Sequence, residues 1–385
     1  MEGSFIYNKY VTGKNNIGRK SEGMILANLL GSGENVVIYE PPKTGKMSLI
    51  QQTFYNMRIS GASFEVADFS LLGIRSLEAF LLRFGSTVLR LFYNTPEEYS
   101  TAVSTWLHGT HFVFDPQLFA SEDKVLSLSW DCDAGDLQAI AQLPLHIATA
   151  TGKRCYILIS EFQDLTLFDE GEDICRTLAG VLKGFSPEDK ARCSFIFTGS
   201  QVNAMKEIFE HRGLFHRAVE HLCIGPVDTK DIIDYVVRGF LVSGKVIERD
   251  LLLGVCKLFR QNIWYINHFA SICDSLSKGY IIEPVLLEAL DRLISIHQPR
   301  FISTMEGLTT YQSNLLRAIL EGHQKFSSAE VIGKYGLNSS ANVKRLKEAL
   351  CKKEIITFDE QEERPLLLDP LFEYWVKKYY FQINE

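Results

Sequence analysis

Residues 40–47 read Glu40-Pro41-Pro42-Lys43-Thr44-Gly45-Lys46-Met47, and a glycine-lysine pair at the head of a helix is chemistry suited to phosphate. In the pattern G-x-x-x-x-G-K-S/T the glycines let backbone N–H groups close around phosphate oxygens. The lysine contacts the terminal phosphates and the hydroxyl ligates magnesium. Gly45 and Lys46 keep the second glycine and the lysine, whereas Glu40 stands in place of the first glycine and Met47 in place of the hydroxyl. The pair alone carries little information, and its setting carries more. Residues 35–39, Asn-Val-Val-Ile-Tyr, form a β-branched apolar run, and residues 46–59 repeat apolar side chains at helical spacing. The loop therefore joins a buried strand to a helix whose N-terminus itself favours an anion.

A second apolar run, Tyr156-Ile157-Leu158-Ile159, is followed by Ser160-Glu161-Phe162-Gln163-Asp164. Phosphoryl-transfer sites usually end such a strand in a magnesium-holding aspartate, often followed by a glutamate that orients the attacking water. Ser160 occupies the aspartate position and Glu161 the glutamate position; the plainer reading of Glu161 is a solvated carboxylate at a helix start. Met47 and Ser160 thus weaken both protein anchors for the metal. Glu40 adds a negative charge near the phosphates, a contact costing on the order of several kcal/mol before screening. Ser48, one position late, and Asp68, Ser160 and Asp164 are the remaining metal-side candidates. Hydrolysis is expected to be slow or absent, whereas binding through the backbone cradle and Lys46 does not require magnesium.

The elements that must position these residues follow from periodicity. Strands are expected at 63–69, 154–159 and 193–198, with helices at 77–92 and between the last two strands. That alternation implies a parallel sheet covered on both faces. Residues 94–144 yield no topology from pattern alone. After residue 228 helix-period patterns take over, at 230–241, 248–260, 263–277 and 283–297. From 308 onward three short helices (310–321, 328–335, 341–352) precede two strand-like pieces (355–358, 365–368), the order of a winged helix.

With these motifs in order, the chain resembles the archaeal-type and Bacteroidetes AAA+ ATPases of STAND-like character. Their adenine-side box G-R-x-x-E is matched by Gly18-Arg19-Lys20-Ser21-Glu22, their G-P-R-R-x-G-K-S/T-S-L-I loop by residues 40–50, and their D-E-F-Q by Ser160-Glu161-Phe162-Gln163. Gly199-Ser200-Gln201 with Met205, the Trp264-Tyr265-Ile266 stretch and the ending Asp369-Pro370-Leu371-Phe372-Glu373-Tyr374-Trp375 are also family-like. The resemblance implies an α/β P-loop NTPase domain at 1–227, a helical lid-like domain at 228–307 and a winged helix at 308–385. It implies nucleotide contacts from Gly18, Arg19, Lys43, Thr44, Gly45, Lys46, Met47 and Ser48. Glu161 and Arg217 would be the catalytic groups if the site is active, and Ser200 the sensor. ATP or ADP is the expected ligand and a protein the expected partner. Glu40, Met47 and Ser160 depart from the pattern at its phosphate and metal end, which favours a binding or switch module. An active ATPase with a divergent site, or a scaffold without nucleotide, are the competing readings.

In the third C-terminal helix Lys344, Arg345 and Lys347, with Lys352 and Lys353, offer a face of the kind that enters a DNA groove. The acidic run Asp359-Glu360-Gln361-Glu362-Glu363 would repel a phosphate backbone, so DNA is not the favoured partner. The aromatic tail 367–381 is expected to dock onto the rest of the chain. Over 385 residues, 46% hydrophobic and 23% charged with net charge −7, the composition is that of a multidomain globular protein. Eight cysteines without a C-x-x-C pair point to reduced, mostly buried thiols. No run reaches bilayer-spanning length and the first ten residues lack signal-peptide character, so a cytoplasmic location is expected.

Overall fold

A computed structural model describes residues 4–358 and 364–383. The chain forms two compact units: Met1–Arg19 with Pro41–Gln51 and Gly225–Glu385, and Lys20–Glu40 with Gln52–Ile224.

The second unit is built on a parallel sheet of β1 (Val36–Tyr39), β2 (Glu65–Ser70), β3 (Cys155–Ser160), β4 (Cys193–Gly199) and β5 (Glu220–His221), in spatial order β2-β3-β4-β1-β5. The central strands β1 and β4 are buried at every residue, as continuous apolar runs in a sheet covered on both faces require. Register pairs Val36 with Ile196 and Tyr39 with Gly199 on one side, and Val36 with Glu220 on the other. Asn35, fully buried just before β1, donates from Nδ2 to Ala218 O (3.0 Å) and accepts from Phe195 N (2.8 Å), so one amide ties three segments together. The helix expected at 77–92 is present as Leu77–Phe92, with Ser76 capping its first turn.

The stretch that gave no topology from sequence holds helices Pro96–Trp106 and Pro116–Glu122, the short pairing of Phe112–Val113 with Ser127–Leu128, and helix Ala134–Thr151. Thr95 with Glu98 and Asp133 with Asp136 form reciprocal capping boxes at two of these helices. Pro144 lies inside the last one, flanked by buried Leu143 and Ile147.

The first unit is largely helical: Thr229–Val242, Arg249–Leu258, Ile263–Leu276 and Glu283–Glu306, then Thr310–Leu320, Ala329–Tyr335 and Ser340–Lys352. An antiparallel hairpin, Ile356–Phe358 with Pro365–Leu367, and helix Pro370–Trp375 complete it. The expectation that one helix stops at His297 is corrected, because it continues through Pro299 to Glu306. Beyond the proline, buried Phe301 packs on Phe372 and Trp375 with centroids 5.6 Å apart, and that burial outweighs the local penalty of proline. The tail is docked as expected, with Leu371, Phe372, Trp375 and Val376 buried. Phe5 enters the same core against Gly239, where an added Cβ would lie 2.5 Å from its ring. The acidic run 359–363 lies outside the described residues. Five of the eight cysteines, Cys155, Cys175, Cys193, Cys256 and Cys273, are buried. Among the described residues no helix is long and apolar enough to cross a membrane.

Candidate functional site

The loop after β1 turns through two left-handed residues, Lys43 (φ +67°) and Gly45 (φ +92°), before helix Lys46–Ile59 begins. Glycine takes this conformation freely and lysine does not. Inside the loop the Pro41 carbonyl accepts from Thr44 Oγ1 (2.9 Å) and from Lys46 Nζ (3.0 Å). Arg19 reaches the loop from the stretch 18–22, donating from Nη2 to Thr44 O (3.1 Å) and from Nη1 to Gly225 O (2.8 Å). Gly18, at φ +62°, allows this approach, since a Cβ there would sit 2.8 Å from Val227 Cγ1. Ser48 Oγ accepts from Val11 N at 3.1 Å. The structure therefore links Arg19, Thr44 and Lys46 by hydrogen bonds through Thr44 O and Pro41 O, with Gly18 and Gly45 as their chain neighbours and Met47 at the first turn of the helix.

Lys43 does something the sequence did not suggest. Its ammonium lies 3.5 Å from the centroid of the Trp264 ring. Burial holds its pKa below the usual lysine range, and neighbouring Arg300 pushes the same way. Trp264 meets His268 and His297 edge-on, and His268 stacks on Tyr7 at 4.3 Å. Burial lowers the pKa of His268 and lowers that of His297 to about 4, which keeps both rings neutral beside Lys43 and Arg300. The next residue, Tyr265, places its hydroxyl 2.9 Å from both carboxylate oxygens of Asp369, and Arg300 Nη2 lies 2.7 Å from Asp369 Oδ2. A one-turn spacing of aromatics, Trp264 to His268, was the signal available in the sequence.

The second unit carries the strand-end residues. Glu161, at φ +54° just beyond β3, accepts on Oε2 from Ser200 Oγ (2.5 Å) and from Gln163 Nε2 (2.6 Å). Ser200 N donates in turn to Gln163 Oε1 (3.3 Å), and Gly199 leaves room for that amide, since a Cβ would lie 2.7 Å from the same oxygen. The plainer reading of Glu161 as a solvated carboxylate is thereby corrected: it ties the end of β3 to the end of β4. Ser160 Oγ faces Phe69 O at 3.4 Å. Burial raises the pKa of Asp68. Asp164 is buried and also raised, chiefly by burial, against the opposing pull of Arg75 3.5 Å away. Arg217 is exposed at φ +60° and lines a cavity of about 120 Å³ with Tyr39, Glu210 and His221.

Among the described residues one group of potential metal ligands converges, His111, Asp133 and Asp136. Asp136 accepts from His111 N (2.9 Å) and Asp133 N (2.8 Å) and pairs with His111 Nδ1 (2.8 Å). Asp133 accepts from Asp136 N (3.0 Å). Those bonds are the work of a helix cap, which accounts for the cluster without an ion.

A five-stranded parallel sheet with β1 between β4 and β5, a glycine-lysine loop leaving β1, and a helical region ending in a winged helix together define a P-loop NTPase fold joined to a winged helix. A family model described as a probable winged helix domain matches residues 299–378. Among solved structures, the chain is similar to the Walker-type ATPase PABY2304 of Pyrococcus abyssi, at 15% identity over 97% of this chain and 99% of that one, with TM-score 0.68. It is also similar to the ORC2 protein of Aeropyrum pernix solved in ADPNP–ADP complexes, at 13% identity, 93% coverage of each chain and TM-score 0.57. The ADP form of that protein aligns at 13% identity over 93% of this chain and 91% of that one, with TM-score 0.55. No curated protein matches the sequence. At such identities the likeness is one of fold.

Proposed function

We propose that the chain binds ATP or ADP through residues 41–48 and works as a nucleotide-dependent switch with slow or no hydrolysis. In this reading residues 1–227 carry the nucleotide, 228–307 form the lid-like domain, and 308–385 pass its state to a protein partner. Gly18, Arg19, Thr44, Gly45, Lys46 and the N-terminus of helix Lys46–Ile59 supply a cradle and a cation, neither of which needs a metal.

The observation that carries the reading is the state of the hydroxyls around the loop. The usual magnesium hydroxyl is replaced by Met47, Ser48 Oγ is bonded to Val11 N, and Thr44 Oγ1 to Pro41 O. On the strand ends Ser160 is neutral, and Glu161 is bonded by Ser200 and Gln163. STAND-like behaviour and loss of turnover both follow from this reading. Calorimetric titration with ATP and ADP, with and without magnesium, tests it: binding should survive chelation with little change. Multi-turnover hydrolysis that disappears in both Lys46→Ala and Glu161→Gln would establish the active, divergent ATPase instead. Lys347 supports the lower rank of DNA, since its ammonium lies over Phe326 and Phe358 (4.9 and 5.3 Å) while Lys344 and Arg345 remain exposed.

A further inference from the structure

The Lys43–Trp264 contact joins the loop to the helical region, and three observations bear on it. Lys43 holds a left-handed backbone that a residue with a Cβ adopts only under compensation from its surroundings. Its ammonium is withdrawn onto an aromatic face within a group of neutral histidines, Arg300 and the carboxylate of Asp369. That face belongs to the residue preceding Tyr265, which together with Arg300 holds Asp369. Asp369 in turn caps helix Pro370–Trp375, accepting from Leu371 N (3.0 Å) and Phe372 N (3.1 Å).

We propose that Lys43 is a ligand-responsive positioning residue: phosphates entering the loop draw its ammonium off Trp264, and the released first turn of helix Ile263–Leu276 loosens the Tyr265–Arg300–Asp369 latch on the C-terminal helix. The inference rests on the nucleotide-binding reading above. Its physical basis is the ranking of partners for an ammonium. A phosphate oxygen makes a charge-assisted hydrogen bond, whereas an aromatic face offers the weaker attraction of a ring quadrupole. Two states result, a clasped one seen here and a released one. Loop occupancy biases them because the phosphates bind Lys43 only in the second.

Trp264 supplies the readout, since a cation and neutral imidazoles at its ring set its emission. The intact chain is titrated with ATP, and separately with inorganic triphosphate, both without magnesium. Tryptophan emission is followed and binding is measured independently by calorimetry. Both ligands are expected to change the emission, and the change should be smaller in Trp264→Phe, the difference from the wild type being the part carried by Trp264 and the remainder that of Trp375 in the C-terminal helix, with affinity kept within about threefold, because the Trp264 ring is not itself a phosphate ligand. Lys43→Met should show the ligand-like emission before any addition, respond no further, and bind roughly tenfold more weakly through loss of one charge-assisted contact. In the wild type, amide exchange in 370–380 should rise on ligand addition. Far-UV dichroism confirms that both variants are folded; if Trp264→Phe is not, Lys43→Met and Lys43→Gly alone carry the test. Calorimetric binding with unchanged Trp264 emission overturns the clasp and leaves the nucleotide reading standing. A response to ATP but not to triphosphate also overturns it, because the base and not the phosphates would then act on Trp264. No heat and no thermal shift with either ligand removes both.

Discussion

The loop of the first unit and the strand ends of the second carry the same kind of sequence departure, and they hold themselves together in opposite ways. Around the loop, cationic and hydroxyl donors meet backbone carbonyls: Arg19 to Thr44 O and Gly225 O, and Lys46 and Thr44 to Pro41 O. A ligand rich in anionic oxygens offers Lys46 a stronger acceptor than the neutral Pro41 carbonyl. At the strand ends a carboxylate is the hub, and its donors are the side chains of Ser200 and Gln163. Where catalysis would need Glu161 to accept a proton, the structure makes it accept two hydrogen bonds. On the nucleotide-binding reading, one region offers its groups to a ligand, whereas the other holds its groups to each other.

That contrast predicts a crossed result. Lys46→Ala should lower ATP affinity by about 100-fold, the loss of a charge-assisted contact to phosphate, with little change in melting temperature. Glu161→Ala should do the reverse, destabilising by about 1–3 kcal/mol because Ser200 and Gln163 lose a charged acceptor, while calorimetric affinity stays near that of the wild type. Equal loss of affinity in both variants would break the comparison and return Glu161 to the ligand. Gly199→Ala sharpens it. The added methyl would meet Met205 at 2.3 Å and Gln163 Oε1 at 2.7 Å, and overpacking of that kind costs about 1–3 kcal/mol. The cost should appear in the melt and not in the titration.

Arg19→Met is the corresponding change on the loop side. It removes two donors to carbonyls, so ATP should bind about tenfold more weakly, at roughly 1 kcal/mol net for a hydrogen bond and somewhat more when the donor is charged. A variant with Met47→Thr and Ser160→Asp together restores the usual hydroxyl and acid. Its affinity should acquire a magnesium dependence, measured as the ratio of dissociation constants with and without chelator, that the wild type lacks. A wild-type protein already showing that dependence would mean that Ser48, Asp68 or Asp164 supplies the metal side.

The parts legible in the sequence were those with a strong local signal. Val36–Tyr39 is a run of β-branched and aromatic residues, and Leu77–Phe92 has a serine cap and a clean apolar stripe, so strand and helix could be placed without tertiary knowledge. Gly18, Gly45 and Gly199 were picked out as motif positions, and in the structure each has one of the two physical reasons glycine offers. Gly18 and Gly45 adopt positive φ, and Gly18 and Gly199 have no room for a Cβ. Pro299 misled because proline's local penalty is readable and the burial of Phe301 against Phe372, more than seventy positions on, is not. Residues 94–144 were opaque because their strands are only two residues long and one helix only seven, below the length at which periodicity speaks, and Pro144 interrupts the pattern of the long helix Ala134–Thr151. The Lys43 contact was invisible for a third reason: a cation resting on a ring leaves no pattern along the chain.

The smallest expected effect concerns the second unit alone, in the pair His111–Asp136. Its hydrogen bond to Asp136 holds His111 above the usual histidine pKa. Burial pushes the Asp136 carboxyl up, but hydrogen bonds from the His111 backbone and ring and from Asp133 outweigh it and hold the pKa low. A histidine raised on folding contributes stability that is fully present below its unfolded pKa, about 6.5, and that is lost as pH rises through the folded value. A carboxylate lowered on folding contributes stability present above its unfolded pKa, about 3.9, and lost as pH falls through the folded value. The pair should therefore stabilise most between those limits and weaken at either end. His111→Asn keeps the backbone N–H on Asp136 and removes the titrating ring, so it should flatten the alkaline arm of a plot of melting temperature against pH and make the acid arm shallower without removing it. Flattening of neither arm would show that the cap formed by Asp133 and Asp136 holds this helix without the imidazole, and that the charge on His111 contributes nothing to folding.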